Sequence, residues 1–460
     1  MKRALFIIAV LVLGACVERS ATTQDHEERA YSLALEVERL AGLRSLWPGF
    51  EPMTIPLAVY DGERTYLFHH PAPPEGFVPV GRTKPPGRVY EGRYPAITAN
   101  TSADIGGAMS ATLMLDGPEG DRSLTHLAAV AIHEAFHVYQ REWHPSWQAN
   151  EGDLFVYPTD DARLLALRRL ETEALRRALA ASESTESACW ARQALALRGE
   201  RFSRMDAVFA AYDRGTELNE GLATYVELRA EGRETVVLPE SGFEATEVRQ
   251  RAYATGPAIA LLLDRFHLEW PASFEADNGQ SLDQALQAAL GADRRDSSDR
   301  CTFSDAEIAE AESVARDDAA AVLVGQVERR AAFQARPGWR VVVMAADGEP
   351  LWPQGFDPLN VERVQGDILH MRFLRLGNDS GQLEAMDTQE TDIEALTEGV
   401  GPHPLYNGVQ RVVIAGLTKP EVTMRGEHVT VRVSGFSASF ERASVHQSPK
   451  KLEVKLERRE

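Results

Sequence analysis

His133-Glu134-Ala135-Phe136-His137 has the form H-E-x-x-H. On a helix, residues four apart share one face, one turn apart. Two imidazoles so placed can reach one metal ion, and the acid beside them can hold a water at that ion. Leu127, Ala128, Val130, Ala131 and Ile132 precede the motif, and Val138 follows it. This texture predicts a mostly buried helix over Leu124 to Trp143. Two histidines and an acid inside such a helix are costly unless something satisfies them, and Zn2+ is the expected partner. A catalytic zinc needs a third protein ligand and one open position. A third His two turns on is not found: its place is Trp143, the preceding Gly place is Gln140, and His144 is one residue late. Glu171 and Glu173 lie on a charged helix and read as solvated. The better third ligand is Glu220, within Leu218-Asn219-Glu220-Gly221-Leu222-Ala223-Thr224-Tyr225-Val226-Glu227.

Asn-Glu-Gly-x-Ala-x-Tyr after an H-E-x-x-H helix resembles the gluzincin metallopeptidases, in particular their aminopeptidase N-type branch. Tyr253-Ala254-Thr255-Gly256, followed by apolar Ala258 to Leu263, resembles that branch's Tyr-x-x-Gly helix. The motifs occur in the family's order and the resemblance covers roughly residues 110 to 265. It implies a zincin-like peptidase domain, a small β-sheet with a helical subdomain, in which His133, His137 and Glu220 hold Zn2+. It also implies that Glu134 is the general base on a zinc-activated water and that the Tyr253 hydroxyl bonds the tetrahedral oxyanion. Asn219 and Thr224 are the expected outer partners of the ligands, and Glu217 reads equally as another or as an exposed acid at a helix start. The strand Ala111-Thr112-Leu113 is expected to pair with an extended peptide or protein substrate by strand addition. Two departures stand out. The family's Gly-Ala-Met-Glu-Asn strand is echoed by Gly107-Ala108-Met109-Ser110-Ala111, with Ser110 where the amine-binding Glu would be. In addition, 82 residues separate His137 from Glu220, a connection much longer than the family's.

That excess, residues 159–212, reads as a helical insertion, either a structural hairpin or a wall of the cleft. The elements around it fall into two textures. Residues 30–116 read as one helix followed by strand and turn, and 117–335 as a run of helices, together making the peptidase domain 30–335. From 336 to 446 apolar residues alternate, as in Leu369, Met371 and Phe373 or Val429, Val431 and Val433, which marks half-buried strands of a C-terminal all-β domain. Residues 447–460 read as a charged tail. The fold class is α+β. His126 reads as a first-turn surface residue, and His69-His70 as loop surface. Trp143, Trp147, Phe155 and Tyr157 read equally as cleft lining or as packing.

The amino end carries a different signal. Met1-Lys2-Arg3, an apolar run to Leu13 and then Gly14-Ala15-Cys16 resemble a lipoprotein signal peptide over 1–15. The resemblance implies lipidation at Cys16, a tether over 16–29 and attachment in the cell envelope, at the outer membrane in a Gram-negative cell. In an oxidising compartment Cys189 and Cys301 either pair or stay as buried free thiols. The net charge of −20 over 460 residues disfavours nucleic-acid binding. The expected function is an exported zinc metallopeptidase. The alternatives are hydrolysis of a non-peptide amide and a cell-envelope lipoprotein that acts as a binding or scaffold module without turnover.

Overall fold

The computed structural model describes residues 23–277, 279–291, 301–358, 360–387, 391–401 and 403–458. The signal-like segment and Cys16 fall outside them. The chain opens with helix α1 (Thr23–Leu43), which begins inside the stretch read as a tether. Strands β1 (Leu57–Tyr60), β2 (Arg64–Phe68), β3 (Val78–Thr83), β4 (Pro86–Glu91), β5 (Thr101–Ile105) and β6 (Ala108–Met114) follow, and then helix α2 (Leu124–Trp143). Helices α3 (Ala162–Ala180), α4 (Ser184–Ser203) and α5 (Ala207–Thr216) lead into a π-helical turn, Glu217–Gly221, which runs straight into α6 (Leu222–Glu231). Four more helices are α7 (Val248–Phe266), α8 (Trp270–Ala276), α9 (Leu282–Ala289) and α10 (Asp305–Ala335).

Thirteen strands complete the described chain. They are β7 (Trp339–Met344), β8 (Trp352–Phe356), β9 (Val361–Val364), β10 (Asp367–His370), β11 (Phe373–Asn378), β12 (Gly381–Met386), β13 (Glu394–Gly399), β14 (Val409–Leu417), β15 (Glu421–Arg425), β16 (His428–Val433), β17 (Phe436–Phe440), β18 (Ala443–Ser448) and β19 (Lys451–Leu456). The protein is thus mixed α+β, with an all-β C-terminal part. It divides into two compact units: the described residues up to Glu142 with Val226–Gly232, and Trp143–Tyr225 with the described residues from Arg233 onward.

In the first unit the sheet order is β3-β4-β2-β1-β6-β5. Strand β6 lies parallel to β1 and antiparallel to β5, so Ala111 and Thr112 have partners on both sides, and Leu113 is paired with Val59 of β1. This corrects the expected substrate strand, since a doubly paired strand has no free ladder to offer. The edge on that side of the sheet is β5. Helix α2 turns Phe136 and Tyr139 onto Trp47 and Phe50, with ring centroids 5.1 to 5.8 Å apart. The Tyr139 hydroxyl donates to the Pro48 carbonyl at 3.1 Å. This anchoring fixes the helix's rotation and so the direction of the opposite face.

In the second unit, a buried ion network joins the long insertion to α7 and the π turn. Glu171 on α3 accepts from Arg198, Arg201 and Arg251 at 2.6 to 2.9 Å. Arg198 is forked onto Glu217 at 2.7 Å on both nitrogens, and Arg201 reaches Asp213 at 2.6 Å. Glu171 is fully buried, which corrects its reading as solvated. Its partners hold its carboxyl well below the usual range against the opposing effect of burial. Removing one member of such a network strands the others and costs about 3–5 kcal/mol. The disulfide Cys189–Cys301 ties α4 to the segment before α10.

The β part is a two-sheet sandwich, ordered β18-β19-β7-β14-β13-β10-β9 and β15-β16-β17-β12-β11-β8. Val341, Val343, Leu374, Leu383, Val431, Phe440 and Val454 fill the space between the sheets, and Phe333 of α10 packs on the outer face of the first. Part of the stretch read as a charged tail is strand β19. It lies between β18 and β7 and buries Leu452, Val454 and Leu456. Each of these side chains is worth roughly 1.5–3 kcal/mol. Removing residues 449–460 should therefore lower the thermal midpoint by roughly 10 °C or more, read by circular dichroism. An unchanged midpoint would restore the tail reading.

His370, fully buried between Thr397 and Phe356, has its pKa lowered to about 3 by burial. The unfolded chain binds that proton near pH 6.5, so the contribution is fully present above about 6.5 and is lost as pH falls toward 3. His370→Phe should flatten this part of a stability–pH curve measured by urea unfolding. A curve of unchanged slope would contradict it.

Candidate metal centre

His133 and His137 are both buried on one face of α2. Each ring is held through Nδ1. His133 Nδ1 donates to Glu227 Oε2 at 3.0 Å, and His137 Nδ1 donates to Gln140 Oε1 at 2.8 Å. With both hydrogens on Nδ1, each Nε2 carries a lone pair, and the two Nε2 atoms face each other at 3.1 Å. Two lone pairs at that distance repel unless a cation or a proton lies between them. Tetrahedral ligands at metal–nitrogen distances of about 2.0–2.1 Å stand about 3.3 Å apart, close to what is seen.

Glu220 supplies the carboxylate. Ligand atoms of His133, His137 and Glu220 lie within 4.8 Å of one another, and all three residues are buried, so the group could hold a metal ion. It is the one such group of three or more among the described residues. The run Glu217–Glu231 is unbroken, so Glu220 and Glu227 ride on one helical element. The element that grips His133 therefore also carries the third candidate ligand. A π turn holds an extra residue and re-aims side chains relative to an α-helix, a device common at functional sites.

Gly221 and Gly256 let α7 approach this turn. A Cβ on Gly256 would stand 2.5 Å from the Gly221 Cα, and one on Gly221 2.7 Å from the Gly256 Cα. The close approach brings Tyr253 and Arg249 to Glu220. Arg249 Nη2 donates to Glu220 Oε1 at 2.6 Å and Arg249 Nη1 to the Tyr253 hydroxyl at 3.0 Å. Burial, then the negative charge of Glu220, push the Tyr253 phenol well above its ordinary range. For Arg249 burial works against the charged form, but Glu220, Tyr253 and Glu151 outweigh it and raise its pKa.

The other expected residues are distributed unevenly. Glu134 is half-buried beside His133 on α2. Asn219 Nδ2 donates to Glu220 Oε1 at 3.2 Å, and the Thr224 hydroxyl donates to the Glu220 backbone carbonyl at 2.8 Å. Glu217 instead faces Arg198 and accepts from the Thr255 hydroxyl at 2.7 Å, so it supports α7 rather than a histidine. His126 is bonded to Glu231 at 2.8 Å, and His144 to Glu275 at 2.7 Å while stacked on Trp147. Trp147, Phe155 and Tyr157 are packed inside, whereas Trp143 is exposed. Glu173 is engaged by Arg176 and Arg177. His69 is half-buried beside Glu38, and His70 bonds the Ile105 carbonyl.

Three contributors are not found by motif: Glu227, Gln140 and Arg249. Two had visible signals. Gln140 is three residues beyond His137, and Arg249 is four before Tyr253, so each shares a helix face with its partner. Glu227 lies seven beyond Glu220, two helical turns on, and nothing in the sequence marks it as the partner of His133.

No known protein family matches the sequence, and neither a curated protein nor a solved structure matches it in comparison.

Gly256→Ala tests the close approach. Overpacking there should cost about 1–3 kcal/mol and should weaken metal binding, because Glu220 moves with the π turn. Chemical denaturation and metal titration read the two effects. A variant with wild-type stability and wild-type metal affinity would contradict the packing account.

Proposed function

We propose that this protein is a zinc-dependent metallopeptidase of gluzincin type with a zincin-like catalytic domain. The observation that carries the reading is the pair of buried Nε2 lone pairs converging at 3.1 Å beside a buried carboxylate. The donor set of two imidazoles and one carboxylate suits Zn2+ and leaves a fourth position for substrate or water. Zn2+ held by His133, His137 and Glu220 would supply a Lewis acid that polarises a scissile carbonyl and acidifies a water.

The chain's own groups would do the rest. Glu134 takes a proton from the attacking water as its oxygen bonds to the carbonyl carbon. It then passes that proton to the leaving amine as the C–N bond breaks. Arg249 has no acceptor, so the Tyr253 hydroxyl must accept from it, and its own hydrogen is directed at Glu220. Turned from Glu220 to the substrate, that hydrogen would stabilise the developing oxyanion. Glu227 and Gln140 keep both histidines in the tautomer that presents Nε2. The substrate is a peptide or protein, and its extended chain would add to the β5 edge rather than to β6.

Export with a lipid anchor at Cys16 belongs to the same proposal and rests on the amino-terminal residues. Among the described residues no helix is long and apolar enough to cross a membrane.

Glu134→Gln separates an enzyme from a metal-binding scaffold. The variant should keep its Zn2+ while peptide hydrolysis falls by about 100-fold or more, measured on a fluorogenic peptide library alongside metal analysis. Hydrolysis that survives both this change and chelation would sink the proposal.

A further inference from the structure

We infer that Arg249 is a positioning residue of the metal centre: a clamp that sets the carboxylate plane of Glu220 and the hydrogen-bond direction of Tyr253 together. The inference rests on the metal-centre reading above and goes beyond it, since no motif assigns Arg249 a role.

The geometry is that of a fork with every nitrogen engaged. Nη2 reaches Glu220 Oε1 at 2.6 Å, Nη1 the Tyr253 hydroxyl at 3.0 Å and Nε the Glu151 carboxylate at 3.3 Å. The guanidinium carbon stands 5.7 Å from the Tyr253 ring centroid. Arg249 and Tyr253 are one turn apart on α7, so the fork spans from its own helix to the π turn that bears Glu220. Asn219 also donates to Oε1, so both donors converge on one oxygen of the ligand. Two donors on one oxygen restrict rotation of the carboxylate.

The clamp is itself held. Glu151 also accepts from the Tyr212 hydroxyl at 3.1 Å. Its neighbour Gly152 is fixed by the sandwich: the Gly152 carbonyl bonds His403 Nε2 at 2.9 Å, and a Cβ there would meet the Tyr406 ring at 2.1 Å. The loop bearing His403 and Tyr406 thus braces the turn from which Glu151 reaches Arg249. This gives the all-β part a connection to the site through named contacts.

A cation beside a metal ligand has two opposite effects. Its charge repels an incoming ion, while its hydrogen bonds preorganise the ligand. Outer partners of metal ligands typically contribute 10–100-fold in affinity, so preorganisation is expected to win. Lysine offers a point charge without the fork, and therefore separates charge from geometry.

Zn2+ affinity would be measured by competition with a chromophoric chelator for wild type, Arg249→Met, Arg249→Lys, Glu151→Gln and Glu220→Ala. The Co2+ d–d spectrum and the metal-free melting curve would be recorded for each. The expected result is about 10–100-fold weaker binding in both Arg249 variants, with an altered Co2+ band and a cooperative melt. Glu151→Gln should show a smaller loss in the same direction, and keeps the test valid if Arg249→Met does not fold. Unchanged affinity in Arg249→Met would make Arg249 a bystander. Tighter binding would make it a competing cation, and wild-type behaviour in Arg249→Lys would make it a charge alone; each of these overturns the clamp. Failure of the metal reading itself looks different: wild type binds no Zn2+, or Glu220→Ala binds it as tightly as wild type, and the clamp falls with it.

Discussion

Two imidazole nitrogens that cannot both keep their lone pairs unshared set the terms for this structure. Glu227 and Gln140 take the Nδ1 hydrogens of His133 and His137, and the two Nε2 atoms face each other at 3.1 Å. Two lone pairs at that distance repel unless a cation or a proton lies between them. A fold gains nothing by such an arrangement unless a cation completes it. The surrounding features make sense as ways of sustaining it.

The scaffold meets the constraint through several physical devices. Edge-to-face packing of Phe136 on Trp47 and Phe50 sets the rotation of α2. The continuous run from the π turn into α6 places a gripping carboxylate and a candidate ligand two turns apart on one element. The Gly221–Gly256 contact draws α7 in close enough for Arg249 and Tyr253 to reach Glu220. Behind that contact, Glu217 is locked by Arg198 and Thr255. The long insertion supplies Glu171, Arg198 and Arg201 to the network, so its role in the second unit is to stiffen. Removing ions from water is expensive; the return is a π turn that cannot drift.

Much of this was legible in the residues. The apolar flanks of the H-E-x-x-H motif gave α2 its ends, Leu124 and Trp143. Alternation at Val429, Val431 and Val433 marked β16. Other parts were hidden for identifiable reasons. In β19, Leu452, Val454 and Leu456 alternate with Glu453 and Lys455, and the charge obscured the period of two. Glu171 looks like any acid on a charged helix, because its three arginine partners come from α4 and α7, far away in sequence. The strand Ala111-Thr112-Leu113 was recognisable as a strand, but its pairing on both sides is a property of the whole sheet. Glu227 meets His133 from 94 residues away, and no local motif marks that pairing.

The central claim is that the converging nitrogens hold a metal ion, and metal content tests it most directly. The protein would be purified without added metal or chelator and analysed for bound metals by mass spectrometry, alongside His137→Ala and Glu220→Ala. The expected result is about one Zn2+ per chain in the wild type, as a three-ligand donor set of this kind holds, and a sharp fall in both variants. A wild-type protein that carries no metal and takes up none on titration with Zn2+ would contradict the account.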